Sequence, residues 1–155
     1  MPAVEERRAP HAACADPAYR FVVATSLDDL LGDAARRIRR RRPAEAHASS
    51  AAILDIRSHD ARERDGAIPG AYHVPRTVLE WRVASEDWRN TELDNRELIL
   101  VCDHGYSSIL AASTLVELGR EAGDIEGGFA AWRAAGLPVT TPRLWDGLPG
   151  MAPPD

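Results

Sequence analysis

The sequence predicts an α/β domain built on a parallel sheet with helices packed on both faces. Two observations carry that reading. Short apolar runs bounded by turn residues alternate with segments whose apolar residues recur at helical spacing, and this alternation is the mark of repeated β-α-β units. The chain has 155 residues, 45% of them hydrophobic, which suits one domain with a real core and is short for two.

Residues 1–18 are rich in Ala, Pro and charge without apolar periodicity, so they read as a flexible arm. The domain is expected over 19–140 and a C-terminal tail over 141–155. Phe21 to Ala24 reads as a short strand. Ser26 is placed as the N-cap of a helix with Asp28 and Asp29 in its first turn, and Leu27, Leu30, Leu31, Ala34 and Ile38 predict its buried face. Pro43 is expected to end that helical pattern, leaving 44–50 as a linker. Ala51 to Ile56 predicts the next strand, in which alternation puts Asp55 and Arg57 on one face and Leu54 and Ile56 on the other. A short helix over 60–64, a turn over 65–70 and a strand over 71–74 closed by Pro75 follow. The mixed pattern Val78, Leu79, Trp81, Val83, Trp88 is assigned to one helix and a polar connection. Leu98 to Val101 reads as a buried strand, and the helix beyond it is expected to bury Leu110, Ala111, Leu115 and Leu118 and to stop at Gly119. Asp124 to Glu126 predicts a brief strand, Gly127-Gly128 a tight turn, and Phe129 with Trp132 one face of a last helix ending at Gly136.

Charge and composition narrow the function. The formal net charge is -5, and all 19 basic residues are arginine. Six of them lie between Arg36 and Arg42, where the end of the predicted helix gives cations a favourable dipole. With an acidic chain and no aromatics interleaved among them, nucleic-acid binding is not expected. No apolar stretch is long enough to span a bilayer and residues 1–20 lack the apolar core of a secretory signal, so no membrane partner is expected and the expected location is cytoplasmic. The two cysteines, Cys14 and Cys102, sit in contexts too unlike for a structural disulfide. Cys14 reads as an incidental exposed thiol in the arm.

Chemistry concentrates in Cys102-Asp103-His104-Gly105-Tyr106-Ser107-Ser108, between a buried strand and a helix start. The N–H groups that open a helix lack intrahelical partners and carry the positive end of its dipole, so they favour a thiolate placed there. The plainer alternative is a buried cysteine that fills space. In parallel sheets ligands bind beyond the carboxyl ends of strands, where Asp55, Arg57, Cys102 and Gly127 all fall.

At these residues the chain resembles the rhodanese homology domain family. The likeness is carried by ILDIRSHDARERDGAIPGAYHVP at 53–75, LILVCDHGYSSILAASTLVELG at 98–119 and DIEGGFAAWRAAGLPV at 124–139, in the family's order and spacing. The resemblance implies a five-stranded parallel sheet flanked by helices on both faces. It also implies that a sulfane sulfur passes from thiosulfate or a persulfide donor to cyanide or a thiol acceptor through a persulfide on Cys102, with no metal and no organic cofactor. The physics of the loop agrees, since a six-residue turn around one sulfur points successive N–H groups inward and forms an anion nest.

Two positions depart from the family. Many active members carry arginine at the fifth position after the cysteine, where this chain has Ser107, and the residue after the cysteine is Asp103. A carboxylate about 7 Å from the sulfur opposes the thiolate by roughly 2 kcal/mol at an effective dielectric near 20. The helix terminus offers about 1 to 2 kcal/mol. Asp103 is therefore expected to face water. Positive charge for an anionic donor is sought at Arg57, Arg76, Arg82 and His104, with Arg57 equally suited to a structural ion pair with Asp55. Tyr106 either walls the pocket or shields the first helical turn, Ser108 is expected to donate a hydrogen bond within the loop, Ser107 is a poorer stand-in for arginine, and Trp132 belongs to the core. Three functions compete: a sulfurtransferase acting through Cys102, a rhodanese-like binding or regulatory module with weak turnover, and a related phosphatase or arsenate reductase. The last needs an arginine six positions beyond the cysteine, where Ser108 stands.

Overall fold

Strands β1 (Arg39–Arg41), β2 (Ala52–Asp55), β3 (Tyr72–His73), β4 (Leu98–Val101) and β5 (Ala122–Ile125) form one five-stranded, all-parallel sheet in the order β1-β5-β4-β2-β3. The structure is a computed structural model and describes residues 26–143. The expected strand at Phe21 to Ala24, Cys14, the whole arm and most of the tail lie outside the described residues. Helices are α1 (Leu27–Arg37), α2 (Pro43–Ala48), α3 (His59–Asp65), α4 (Leu79–Ala84), α5 (Ser107–Glu117) and α6 (Gly128–Ala134).

Alternation along the strands sorts the core into two layers. Ala52, Leu54 and Ile56 from the β2 segment join Leu98, Leu100 and Cys102 from β4 against Leu79 and Val83 of α4 and Ala111, Ala112 and Leu115 of α5. The intervening residues Ile53, Ile99, Val101 and Ile125 face the other way, onto Ala46 of α2 and Phe129 and Trp132 of α6. Every residue of β4 is buried, as a central strand covered on both faces requires. Each such leucine contributes about 1.5–3 kcal/mol by leaving water.

Elements α3, β3, β5 and α6 fall within two residues of their predicted bounds. The arginine run does not. Arg39–Arg41 is an edge strand paired with Gly123, Asp124 and Ile125 of β5, where a continued helix end was predicted. The backbone turns extended at Ile38 (φ -116°, ψ 163°), and Gly123 lets the two strands close, because a Cβ there would lie 1.9 Å from the Arg39 carbonyl oxygen. Arg40 finds Asp124 and Arg41 finds Glu97 across the sheet, so ion pairing removes the cost of placing arginines in a strand. Pro43 opens α2 instead of preceding a linker: proline suits a first helical position, and the Arg42 N–H donates to the Glu45 carboxylate at 2.9 Å.

The predicted faces of two helices also shift. In α1 only Ala34 is buried, while Leu27 and Leu30 are 65% and 44% exposed. In α5 the buried apolar residues are Ile109, Ala111, Ala112 and Leu115, with Leu110 half-buried and Leu118 exposed, because α5 is flanked by the sheet and by both α1 and α4. Between Pro75 and Arg89 the single predicted helix is a 3-10 turn (Arg76–Val78) followed by α4, whose burial rests on Leu79 and Val83 at i,i+4. Among the described residues no helix is long and apolar enough to cross a membrane.

Candidate active site

Cys102 leaves the carboxyl end of β4, and five residues later the chain enters α5 at Ser107. The Gly105 N–H donates to Sγ at 3.1 Å, and Sγ lies 3.2 Å from the Ser108 hydroxyl. Cys102 is 6% exposed and packs with the core layer that β2 and β4 present to α4 and α5. Burial pushes its thiol up, but hydrogen bonds from the Ser108 and Ser107 hydroxyls and from the Ser108 and Gly105 N–H groups outweigh burial and hold it below the usual 9.0. The site stabilises the thiolate relative to a free cysteine.

Backbone contact with α6 sets the loop's shape. The N–H groups of Phe129 and Ala130 donate to the carbonyls of Cys102 and Asp103 at 2.8 and 3.0 Å, which fixes two successive peptide planes of the loop. Gly105 (φ 81°) and Gly128 (φ 64°) permit the approach: a Cβ on Gly128 would lie 2.5 Å from the Cys102 carbonyl oxygen, and one on Gly105 would lie 2.7 Å from the Gly127 nitrogen. The Gly127-Gly128 turn legible in the sequence is thus a surface on which the cysteine loop is moulded.

A second line of polar contacts runs behind the sulfur. Ser108, fully buried, donates to Asp124 Oδ2 at 2.9 Å. Asp124, also fully buried, is gripped by Arg40 from β1, Nε to Oδ1 at 2.8 Å and Nη2 to Oδ2 at 3.2 Å. The same Nη2 donates to the Gly105 carbonyl at 3.2 Å.

The other predicted residues divide by position. Asp103 is half-buried on the outer side of the loop, where Arg64, Asp65, His104, Phe129 and Arg133 join it around a cavity of about 310 Å³. Its charge acts on Arg64. His104, Tyr106 and Ser107 are exposed, with Tyr106 at the N-cap position of α5. Arg57 is buried and committed to Asp55, at 3.0 and 2.7 Å, and to the Gly66 carbonyl at 2.8 Å. Its guanidinium carbon lies 3.7 Å from the centre of the Phe129 ring, so Arg57 supports the residue whose N–H holds the Cys102 carbonyl. Of the two roles open to Arg57, the geometry is that of the structural ion pair. Arg76 pairs with Glu80 at 2.7 Å, and the Arg82 carbonyl accepts from the Asn90 N–H; neither contact involves the loop. Trp132 is fully buried, its Nε1 donating to the Pro138 carbonyl at 2.8 Å.

Sequence reasoning missed Asp124 and Arg40 as members of the site. The signal was there for Asp124, since an acid inside a strand buried on both faces must have a partner. Arg40 carried none, as it was one of six similar arginines. Among the described residues no group of three or more His, Cys, Asp or Glu is placed to hold a metal ion.

One sulfur, hydrogen-bonded to a main-chain N–H and a serine hydroxyl at the carboxyl end of a central parallel strand, defines an α/β domain with a cysteine loop. The model of the rhodanese-like domain matches residues 40–135. A thiosulfate sulfurtransferase GlpE of Stutzerimonas stutzeri is 38% identical over 95 residues, 59% of this chain and 81% of that protein. An HTH-type transcriptional regulator of Mycobacterium tuberculosis is 32% identical over 123 residues; the match covers 76% of this chain and half the length of the regulator. Among solved structures, a protein of unknown function from Rhodopseudomonas palustris, described as a possible tyrosine phosphatase, superposes with a TM-score of 0.68 at 30% identity, over 78% of this chain and 98% of that one. A thiosulfate sulfurtransferase from Pseudomonas aeruginosa shares the fold, with a TM-score of 0.56 at 24% identity over 71% of this chain and 21% of that one. The chain belongs to the rhodanese-like domain family.

Proposed function

We propose that the protein is a sulfurtransferase that carries a sulfane sulfur on Cys102. The observation that carries this reading is the sulfur itself, reached by the Gly105 N–H at 3.1 Å and the Ser108 hydroxyl at 3.2 Å, with its thiol held below the usual range. The thiolate attacks the outer sulfur of thiosulfate; an S–S bond forms to Cys102, the donor's S–S bond breaks, and sulfite leaves with the electron pair. An acceptor thiolate then attacks the terminal sulfur of the persulfide, and Cys102 regains its anion. The donors that hold the thiolate serve the persulfide anion and the developing charge between them. Loop residues Asp103, His104, Tyr106 and Ser107 border the approach, while Asp55 and Arg57 hold the loop's support from below. The sulfur donor and the thiol or cyanide acceptor act without metal or organic cofactor.

A phosphatase reading is favoured by the description of the R. palustris protein alone. Chemistry at phosphorus needs an arginine at the loop's end to hold the equatorial oxygens, and that place is taken by Ser108, buried against Asp124. Intact-mass measurement after treatment with thiosulfate, and with a low-molecular-weight persulfide, tests the proposal. Wild-type protein should gain one sulfur atom and Cys102→Ser none. An adduct that persists in the variant removes Cys102 from the chemistry, and no adduct with either donor makes the domain a binding module. Turnover of p-nitrophenyl phosphate that Cys102→Ser abolishes would install the phosphatase reading instead.

A further inference from the structure

The cysteine loop, residues 102–108, contains an acid, Asp103, and neither arginine nor lysine. A second acid, Asp124, sits buried directly behind it. The Ser108 hydroxyl lies between two groups that compete for its one proton: Asp124 Oδ2 at 2.9 Å and Cys102 Sγ at 3.2 Å. While Cys102 is a thiol the geometry is consistent, because S–H donates to the Ser108 oxygen and the Ser108 O–H donates to Asp124. Once the sulfur is an anion, the same hydroxyl must turn to it. That turn leaves Asp124 short of a donor and places two anions on one serine, unless something else satisfies the carboxylate.

Arg40 is the side chain in position to do so. It spans both carboxylate oxygens from the facing strand, β1, and its Nη2 also holds the Gly105 carbonyl, the peptide next to the N–H that touches the sulfur. We propose that Arg40 is a positioning residue of the site: by pairing with Asp124 it releases the Ser108 hydroxyl to the Cys102 anion, and it supplies from β1 the positive charge that the loop lacks. The proposal deepens the sulfurtransferase reading and rests on it, since a persulfide on Cys102 is an anion that makes the same demand on Ser108. The hydrogen bond to Asp124 raises the Arg40 pKa against the opposing effect of burial, and the charges of Asp124, of Glu126 just beyond β5 and of Cys102 add to the rise. Other titratable groups beside the loop are Asp103 and His104 with Arg64, Asp65 and Arg133 on its outer side, and the buried Asp55–Arg57 pair beyond β2.

The test is the rate of iodoacetamide alkylation of Cys102 against pH in wild type, Arg40→Gln, Asp124→Asn and the double variant, each first checked for a cooperative thermal transition. Arg40→Gln should move the profile to higher pH and slow alkylation at neutral pH by about three- to fiftyfold, the span for a unit charge about 7 Å away between dielectrics of about 80 and 20. Asp124→Asn should move it to lower pH, and the double variant should lie close to wild type. Arg40 and Asp124 acting only as a structural clasp would give single variants that change in the same direction and a double variant no better than either. That pattern overturns the proposal, as does an Arg40→Gln profile superposed on wild type. Should Arg40→Gln fail to fold, Arg40→Met, matched in length and neutral, takes its place: an upward move of the profile supports the proposal and a superposed profile overturns it. Alkylation needs no sulfur donor, so the readings separate: protein that takes up sulfur while its profile ignores Arg40 sinks this inference alone. A profile that responds to Arg40 in protein that takes sulfur from neither donor sinks the sulfurtransferase reading alone.

Discussion

Replacing Ser108 with alanine isolates the side chain that touches the sulfur. Ser108→Ala removes the hydroxyl 3.2 Å from Sγ and leaves the Gly105 N–H in place. A hydrogen bond to a charged group contributes about 1.5–3 kcal/mol, and the neutral thiol's bond to the same oxygen about 0.5–1. The difference acts on the thiolate alone and comes to about 1–2 kcal/mol, or roughly five- to thirtyfold in the ratio of thiolate to thiol. Asp124 keeps Arg40 as its partner at 2.8 Å, so the carboxylate is not stranded and the variant should fold. Iodoacetamide alkylation at neutral pH should slow by that factor, with the inflection of its pH profile moved upward and the plateau rate at high pH preserved. Persulfide formation from thiosulfate should slow in parallel. A Ser108→Ala profile identical to wild type would show that the main-chain N–H groups and the Ser107 hydroxyl hold the sulfur without Ser108 and would refute the part assigned to the Ser108 hydroxyl.

Two other outcomes follow from the geometry. Gly128→Ala drives a methyl to 2.5 Å from the Cys102 carbonyl oxygen at φ 64°, whereas Gly70→Ala, at φ 76°, meets nothing within 4 Å. Strain of the backbone alone costs of order 1–3 kcal/mol, so urea denaturation should find Gly128→Ala destabilised by more than Gly70→Ala and slower in alkylation; equal losses at the two sites would refute the moulding of the loop on α6. The Cys102 thiol titrates below 9.0 in the folded protein, so between the folded and unfolded values the unfolded chain binds more protons and stability rises with pH. That contribution is complete above the unfolded value and is lost as pH falls through the folded one. The stability of wild type relative to Cys102→Ser should therefore grow with rising pH across that window and then level off, and a difference that shrinks instead contradicts the depressed thiol.

The place of the thiol was legible because it depended on neighbours in the chain. A thiol between an apolar strand and a helix start can be read from residues 98–118 because both elements are local patterns, and Gly127-Gly128 announces a turn for the same reason. The arginine run shows the opposite case. Its residues continue a helical pattern, and only pairing with β5 across more than eighty residues of chain makes Arg39–Arg41 a strand. The misjudged faces of α1 and α5 have a related origin, since periodicity shows that a helix has an apolar side but not how many neighbours will share it. Arg57 illustrates a third limit: alternation correctly put it beside Asp55, yet whether it faced a ligand or an acid depended on Gly66 and Phe129 closing over it.

The amino-acid sequence alone determined a parallel α/β sheet, the place of Cys102 at the mouth of a strand and the family to which the chain belongs, because those follow from short-range periodicity and motif spacing. Tertiary structure alone decided what surrounds the sulfur. Asp124 accepts from Ser108 out of β5 and Arg40 grips Asp124 from β1, and no rule of local sequence links three residues that are brought together only when the sheet closes. A buried acid obliges the fold to supply a counter-charge, but geometry selects which of six arginines answers.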